Sequence, residues 1–193
     1  MTDERDEYMS AVTIGPRTRT DGPIHLADPD PAWPSMYERE ADRVRDALGE
    51  RVLLLEHAGS TSVPGLPAKP IIDMVLAVAD SSDEEAYVPA LEAAGYILRI
   101  REPDWYEHRL FRGSDPSVNL HTFTAGSPEI PRMLAFRDWL RTHDDERDLY
   151  LETKRELAAR DWAYVQDYAD AKGEVVEAII ARALAATPER EAG

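Results

Sequence analysis

A glycine, three hydroxyls, a lysine and an aspartate crowd one short stretch of the chain: Gly59, Ser60, Thr61, Ser62, Lys69 and Asp73. The small residues Gly59 and Ser60 let backbone N–H groups approach an anion, the hydroxyls of Ser60, Thr61 and Ser62 add donors and acceptors, and Lys69 adds a positive charge. Such a set suits a phosphate. Asp73 lies inside the apolar run Ile71–Val78. A carboxylate there is a poor strand former and needs a cation, a metal or several hydrogen bonds to stay ionised. Each residue also has a plain architectural reading. Gly-Ser pairs are common in turns, Asp73 can accept bonds from loop N–H groups or hydroxyls, and Lys69 can solvate the loop exit.

A strand–loop–strand unit is the element that must position this set. The runs Val52–Leu55 and Ile71–Val78 are rich in Val, Ile and Leu and short enough for strands, and the loop joins them. Upstream, Pro29, Pro31 and Pro34 read as extended chain, and Trp33, Met36, Tyr37, Val44, Ala47 and Leu48 recur at helical spacing up to Gly49. Downstream, Ser82-Asp83-Glu84-Glu85 has the pattern of a capping box opening a helix through Ala94, closed by Gly95. Further strands are expected at Tyr96–Arg101, Trp105–Arg112 and Val118–Thr124, the last two joined by the turn Gly113-Ser114-Asp115-Pro116. Ser127 and Pro128 then open a helix, and helical spacing continues from about Asp145 to Leu184 with a break near Asp161 or Gly173. This order predicts an α+β fold: a mixed, largely antiparallel sheet of about five strands with helices packed on it. Residues 1–22 carry few large apolar side chains and are expected to form a flexible or clamped arm, 23–186 a single domain, and 187–193 a frayed tail.

A chain of 193 residues with 43% hydrophobic content is long enough for one well-packed domain. Its net charge of −16 disfavours duplex nucleic acid and anionic membranes as partners, because both are gripped by Lys and Arg displacing counterions. It leaves room for a nucleotide held in a local pocket by Lys69, Arg109 and a divalent cation. The absence of cysteine removes disulfides, thiolate catalysis and Cys-based zinc sites. No apolar run reaches the length of a membrane-spanning helix, and Met1–Asp6 is acidic, unlike a signal peptide, so a cytoplasmic location is expected.

The stretch Glu56-His57-Ala58-Gly59-Ser60-Thr61-Ser62-Val63-Pro64-Gly65-Leu66-Pro67-Ala68-Lys69-Pro70-Ile71-Ile72-Asp73 resembles the defining segment of the GrpB family. The likeness continues through Asp28–Pro34, His108–Arg112, Asn119–Phe123, Lys154–Leu157 and Tyr168–Lys172, and so spans about Leu26 to Leu184. It implies a nucleotidyltransferase-like fold, in a family of which some members occur fused to dephospho-CoA kinase. In that fold a Gly-Ser pair opens a short helix that holds nucleotide phosphates, and a nearby strand carries two aspartates one residue apart that bind Mg²⁺. Gly59 and Ser60 match the pair and Asp73 matches the first carboxylate; Val75 stands where the second belongs.

The resemblance therefore implies a ligand-binding loop of Gly59, Ser60, Thr61, Ser62 and Lys69, with catalytic positions at Asp73, His121 and Arg109, the arginine meeting developing charge. It implies a divalent ion, Mg²⁺ or Mn²⁺, on Asp73. Substitutes for the missing carboxylate are Glu56, which faces the opposite side of its strand from His57, and His121, which alternates onto one face with Asn119. Lys154 and Lys172 sit on helices, where such residues are usually surface charges; the resemblance includes both and lets one of them reach a bound anion. The expected ligand is a nucleotide triphosphate or another small phosphorylated molecule. Two other readings stay open: a non-catalytic accessory module connected with coenzyme A metabolism, and a protein-interaction domain using the C-terminal helices. Whether the protein turns a substrate over, and which protein partner it has, stay open as well.

Overall fold

Five apolar segments pair into one sheet in the structure, a computed structural model that describes residues 2–20 and 22–186. They are β1 (Leu54–Ala58), β2 (Ile72–Val78), β3 (Ile97–Glu102), β4 (His108–Ser114) and β5 (Ser117–Thr124), in the spatial order β1-β2-β5-β4-β3. Only β2 and β5 run parallel; the other three pairs are antiparallel. This is the mixed, mostly antiparallel α+β sheet expected from the sequence. β1 lies later than the Val52–Leu55 run and so takes Glu56 and His57 into the sheet.

Period-two alternation gives the sheet two unlike faces. Ile72, Met74, Leu76 and Val78 of β2, with Leu120 and Phe111, face α2 (Trp33–Leu48) and α3 (Val88–Ala93). Trp33, Val44, Leu48, Tyr87 and Leu91 complete this dry core. The other face carries Asp73, Val75 and Ala77 on β2 beside Asn119, His121 and Phe123 on β5, residue opposite residue. It is covered by α4 (Glu129–Thr142), α5 (Asp144–Ala158), α6 (Val165–Ala171) and α7 (Gly173–Ala186). The helical tract is thus interrupted near both Asp161 and Gly173.

One local expectation is revised. The Ser82–Glu85 pattern does not cap a helix: Asp80 accepts from the Ser82 amide and hydroxyl, and Glu84 lies in a short 3₁₀ turn bonded to Arg101 and Arg109. Tertiary ion pairs and a competing Asx turn outweigh the local cap. Within 1–22, expected as a flexible or clamped arm, α1 (Thr2–Val12) buries Met9 and Val12, and Ile14 bonds to the Arg99 carbonyl of β3. The 187–193 tail lies outside the described residues.

Leu120 is wholly buried between β5 and the dry core. Leu120→Ala is expected to cost about 2–5 kcal/mol, read as a lower urea midpoint at unchanged slope.

Candidate anion-binding site

The loop after β1 is held from within. Gly59 has φ +62°, and a Cβ there would lie 2.3 Å from Asp73 Oδ2 and 2.8 Å from Asp73 Cβ. Only glycine fits this approach. Ser60–Ser62 form a single 3₁₀ turn. Ser62 Oγ donates to the Gly59 carbonyl (2.6 Å), while Thr61 Oγ1 donates to the Ile71 carbonyl (3.1 Å) and lies 3.0 Å from His57 Nε2. His57 is pushed down to about 4 by burial and then by Arg141 and Arg137, so it is neutral and stacks on Tyr37. From α4, Arg141 donates to the Ser62 carbonyl and Arg137 to the His57 carbonyl. Thr61 and Ser62, expected to bind ligand, are therefore bracing residues whose hydroxyls face the protein. Ser60 alone of the three lines the cavity.

That cavity, about 370 Å³, lies between the sheet and the C-terminal helices, and Asp73 opens onto it. Asp73 Oδ1 accepts from Asn119 Nδ2 at 2.7 Å, the one neutral donor bonded to it among the described residues. Burial raises its pKa, against the Asn119 bond and the charges of Lys69, Lys172 and Arg112. Four cations line the walls: Lys69 from the loop, Arg112 from β4, Lys154 from α5 and Lys172 at the end of α6. Lys154 is only 2% exposed; its Nζ donates to the Pro67 carbonyl and lies 3.3 Å from Ser60 Oγ. Lys69 and Lys172 share the ring of Tyr168, at 5.4 and 4.6 Å. Among the described residues none of the four makes a salt bridge. Glu129 and Glu177, also on the wall, are engaged by Arg132. The cavity is thus a positive island in a chain of net charge −16.

Burial and mutual repulsion show in the lysines. Lys154 is pushed down to about 7 by burial, then by Lys172 and Arg155. Lys69 is pushed down to about 8 by burial and Lys172, with Asp73 pulling it partly back. Burial likewise lowers Lys172.

Several expected site residues fall elsewhere. Arg109 is on the opposite face of β4 from Arg112, bonded to Glu84 (2.6 Å) and Glu107 (3.1 Å), so it does not meet the cavity. Glu56 shares the face of Asp73 but is paired with Arg137 at 2.9 Å and does not line the cavity. His121 does line it, with Nδ1 turned to His108. Val75 packs with Ala58, Phe123 and Ile130, an apolar cluster at the place of a second carboxylate. Asp73, Glu56 and His121 are not assembled as a metal cluster, and among the described residues no three His, Asp or Glu side chains come together so as to hold a metal ion. One carboxylate ringed by four cations does not fit a divalent ion. Arg112, which the sequence pairs with Arg109 as a solvated or ion-paired residue with phosphate contact the minority reading, and Tyr150, read as packing, both line the cavity; strand parity with Asn119 is the signal for the former.

A mixed-sheet α+β domain with a basic, half-enclosed cleft on one sheet face is the class that this geometry defines. A family model described as GrpB protein matches residues 23–182, and the chain belongs to the GrpB family. It is 54% identical to a UPF0157 protein of Halalkalibacterium halodurans over 95% of this chain and 94% of that one. A crystal structure of GrpB from Enterococcus faecalis superposes with TM-score 0.74 at 31% identity, covering 83% of this chain and 98% of that one. A protein of Mycolicibacterium paratuberculosis named dephospho-CoA kinase is 33% identical over 72% of this chain and 40% of its own length.

Gly59→Ala is expected to lower stability by more than ~1 kcal/mol, seen as a reduced urea midpoint. The lysines give a pH signature. Between pH 7 and the ordinary lysine value near ~10.4 the unfolded chain holds more protons than the fold, so stability rises with pH across this window. Urea unfolding at stepped pH is expected to show that rise, and Lys154→Met to remove its lower part while stabilising the protein at pH 7.

Proposed function

We propose that the cavity binds a small phosphorylated ligand, a nucleotide among the candidates, through Lys69, Arg112, Lys154, Lys172 and Ser60, with no divalent metal. The observation that carries this reading is the set of four enclosed cations that share one carboxylate, Asp73, and make no salt bridge among the described residues. Burying such charges uncompensated is costly, and a phosphate, with several acceptor oxygens and up to two negative charges, offsets the penalty. The apolar residues Leu26, Met133, Phe136, Val176 and Ile180 on the same walls suit the carbon body of an organic ester.

Phosphoryl or nucleotidyl transfer through two metal ions is not part of this proposal. Val75 supplies no oxygen, and Asp73 is already bonded by Asn119 and surrounded by positive charge. Asp73 acts instead as the counter-charge that keeps the cations together and orients Asn119. A second reading, a binding module for coenzyme A precursors, is favoured by the relatives named dephospho-CoA kinase, and the same experiment addresses it.

Calorimetric titration of the full chain with ATP, GTP, CTP, UTP, dephospho-CoA and pyrophosphate, in EDTA and then in Mg²⁺, tests both. Binding is expected in EDTA, and Lys172→Met or Lys69→Met to weaken it roughly tenfold or more. Preference for dephospho-CoA selects the second reading. Failure of every one of these anions to bind the wild type sinks the proposal.

A further inference from the structure

A line of hydrogen bonds runs from the surface to the cavity wall. Tyr8 of α1 donates its hydroxyl to Glu102 Oε1 (2.7 Å), Glu102 Oε2 lies 2.7 Å from His108 Nδ1, and His108 Nε2 lies 3.1 Å from His121 Nδ1. His108 is buried, stacked on Phe123 at 4.7 Å between ring centres and met edge-on by Trp105, so its ring is fixed in place. His121 stands where two cavities meet. One is the cation-lined cleft; the other, about 440 Å³, is lined by Arg5, Tyr8, Glu102 and His108.

The line has a direction. A carboxylate only accepts, so a neutral His108 carries its proton on Nδ1 and accepts at Nε2; His121 must then donate from Nδ1. That leaves a lone pair on His121 Nε2, which makes no hydrogen bond among the described residues and is not a buried orphan atom. Glu102 is raised by burial, but the bonds from His108 and Tyr8 outweigh this and hold it below the usual carboxylate range. His121 is held at about 3 by burial, then by His108 and Arg112, so its ring is neutral.

We infer that His121 Nε2 accepts a hydrogen bond from a hydroxyl of the ligand whose phosphate the four cations hold, so the cavity takes a phosphorylated alcohol rather than a bare inorganic anion. This rests on the phosphate reading above and narrows it to one ligand class. A ligand without the hydroxyl would take water from Nε2 and leave that acceptor unpaired, which is how a hydrogen-bonding site rejects the analogue lacking the group. His108 and Glu102 are positioning residues: they touch no ligand and set the tautomer of the imidazole that does.

At pH 8, ¹⁵N-histidine NMR of the full chain is expected to show His108 and His121 both protonated on Nδ1. Glu102→Leu should turn His121 into a mixture of tautomers. A wild-type His121 protonated on Nε2 overturns the inference with no ligand involved. Calorimetry then compares AMP with 2′,3′-dideoxy-AMP. The wild type is expected to favour AMP roughly three- to tenfold, His121→Phe to erase that preference, and Lys172→Met to weaken both ligands alike. Equal affinities in the wild type overturn the hydroxyl contact and leave the phosphate reading intact. Absence of AMP binding overturns the inference, and absence of binding by AMP and by every anion titrated above overturns the phosphate reading as well.

Discussion

Like charges enclosed together are the constraint to which the rest of this molecule answers. Three lysines and an arginine share one cleft with a single carboxylate not already held by an arginine, where low dielectric makes repulsion and desolvation stronger than at the surface. Opposite charge is abundant elsewhere, with 38 acidic against 22 basic residues in the chain. The fold nevertheless keeps the neighbouring carboxylates away: Glu56 is held by Arg137, and Glu129 and Glu177 by Arg132. What remains is a site whose own groups do not neutralise one another.

Rigid surroundings sustain that tension. The dry core between β2, β5, α2 and α3 fixes the strands, and the parallel pairing of β2 with β5 puts Asp73 level with Asn119 and Val75 level with His121. Gly59 then lies directly against Asp73, with two α4 arginines gripping the loop carbonyls around it. The roof is different in kind. Lys154 and Lys172 arrive on separate helices, and aromatic rings at Tyr150 and Tyr168 separate their charges from the core. Sheet and loop set position and supply Lys69 and Arg112, while the helices supply the other two charges.

Much of this was legible in the residues themselves. The strand–loop–strand unit, the close glycine, the buried aspartate and Lys69 all follow from local pattern, because their neighbours in sequence are their neighbours in space. Arg109 and Arg112 could not be separated that way. They occupy opposite faces of β4, and only the register with β5 says which face meets Asp73. Glu102, His108 and His121 come from three strands, so their line of bonds exists only once β3, β4 and β5 are paired. Thr61 and Ser62 look like ligand groups in sequence; a 3₁₀ turn rotates their hydroxyls inward. Ser82 likewise lost its capping role to Asp80, a competition between two local bonds that pattern alone does not rank.

The first helix reaches across to the wall of the cleft. Arg5 of α1 binds Asp170, and Arg17 binds Asp6 and Asp167 while lying 3.8 Å over the Tyr164 ring, so α6, which bears Tyr168 and leads to Lys172, is moored to the opposite end of the chain. These contacts are largely solvent-exposed, and mobile ions screen such attractions over about 8–10 Å. Dissolved salt therefore acts on this protein twice, competing for the cations inside and slackening the tether that keeps one of them in place.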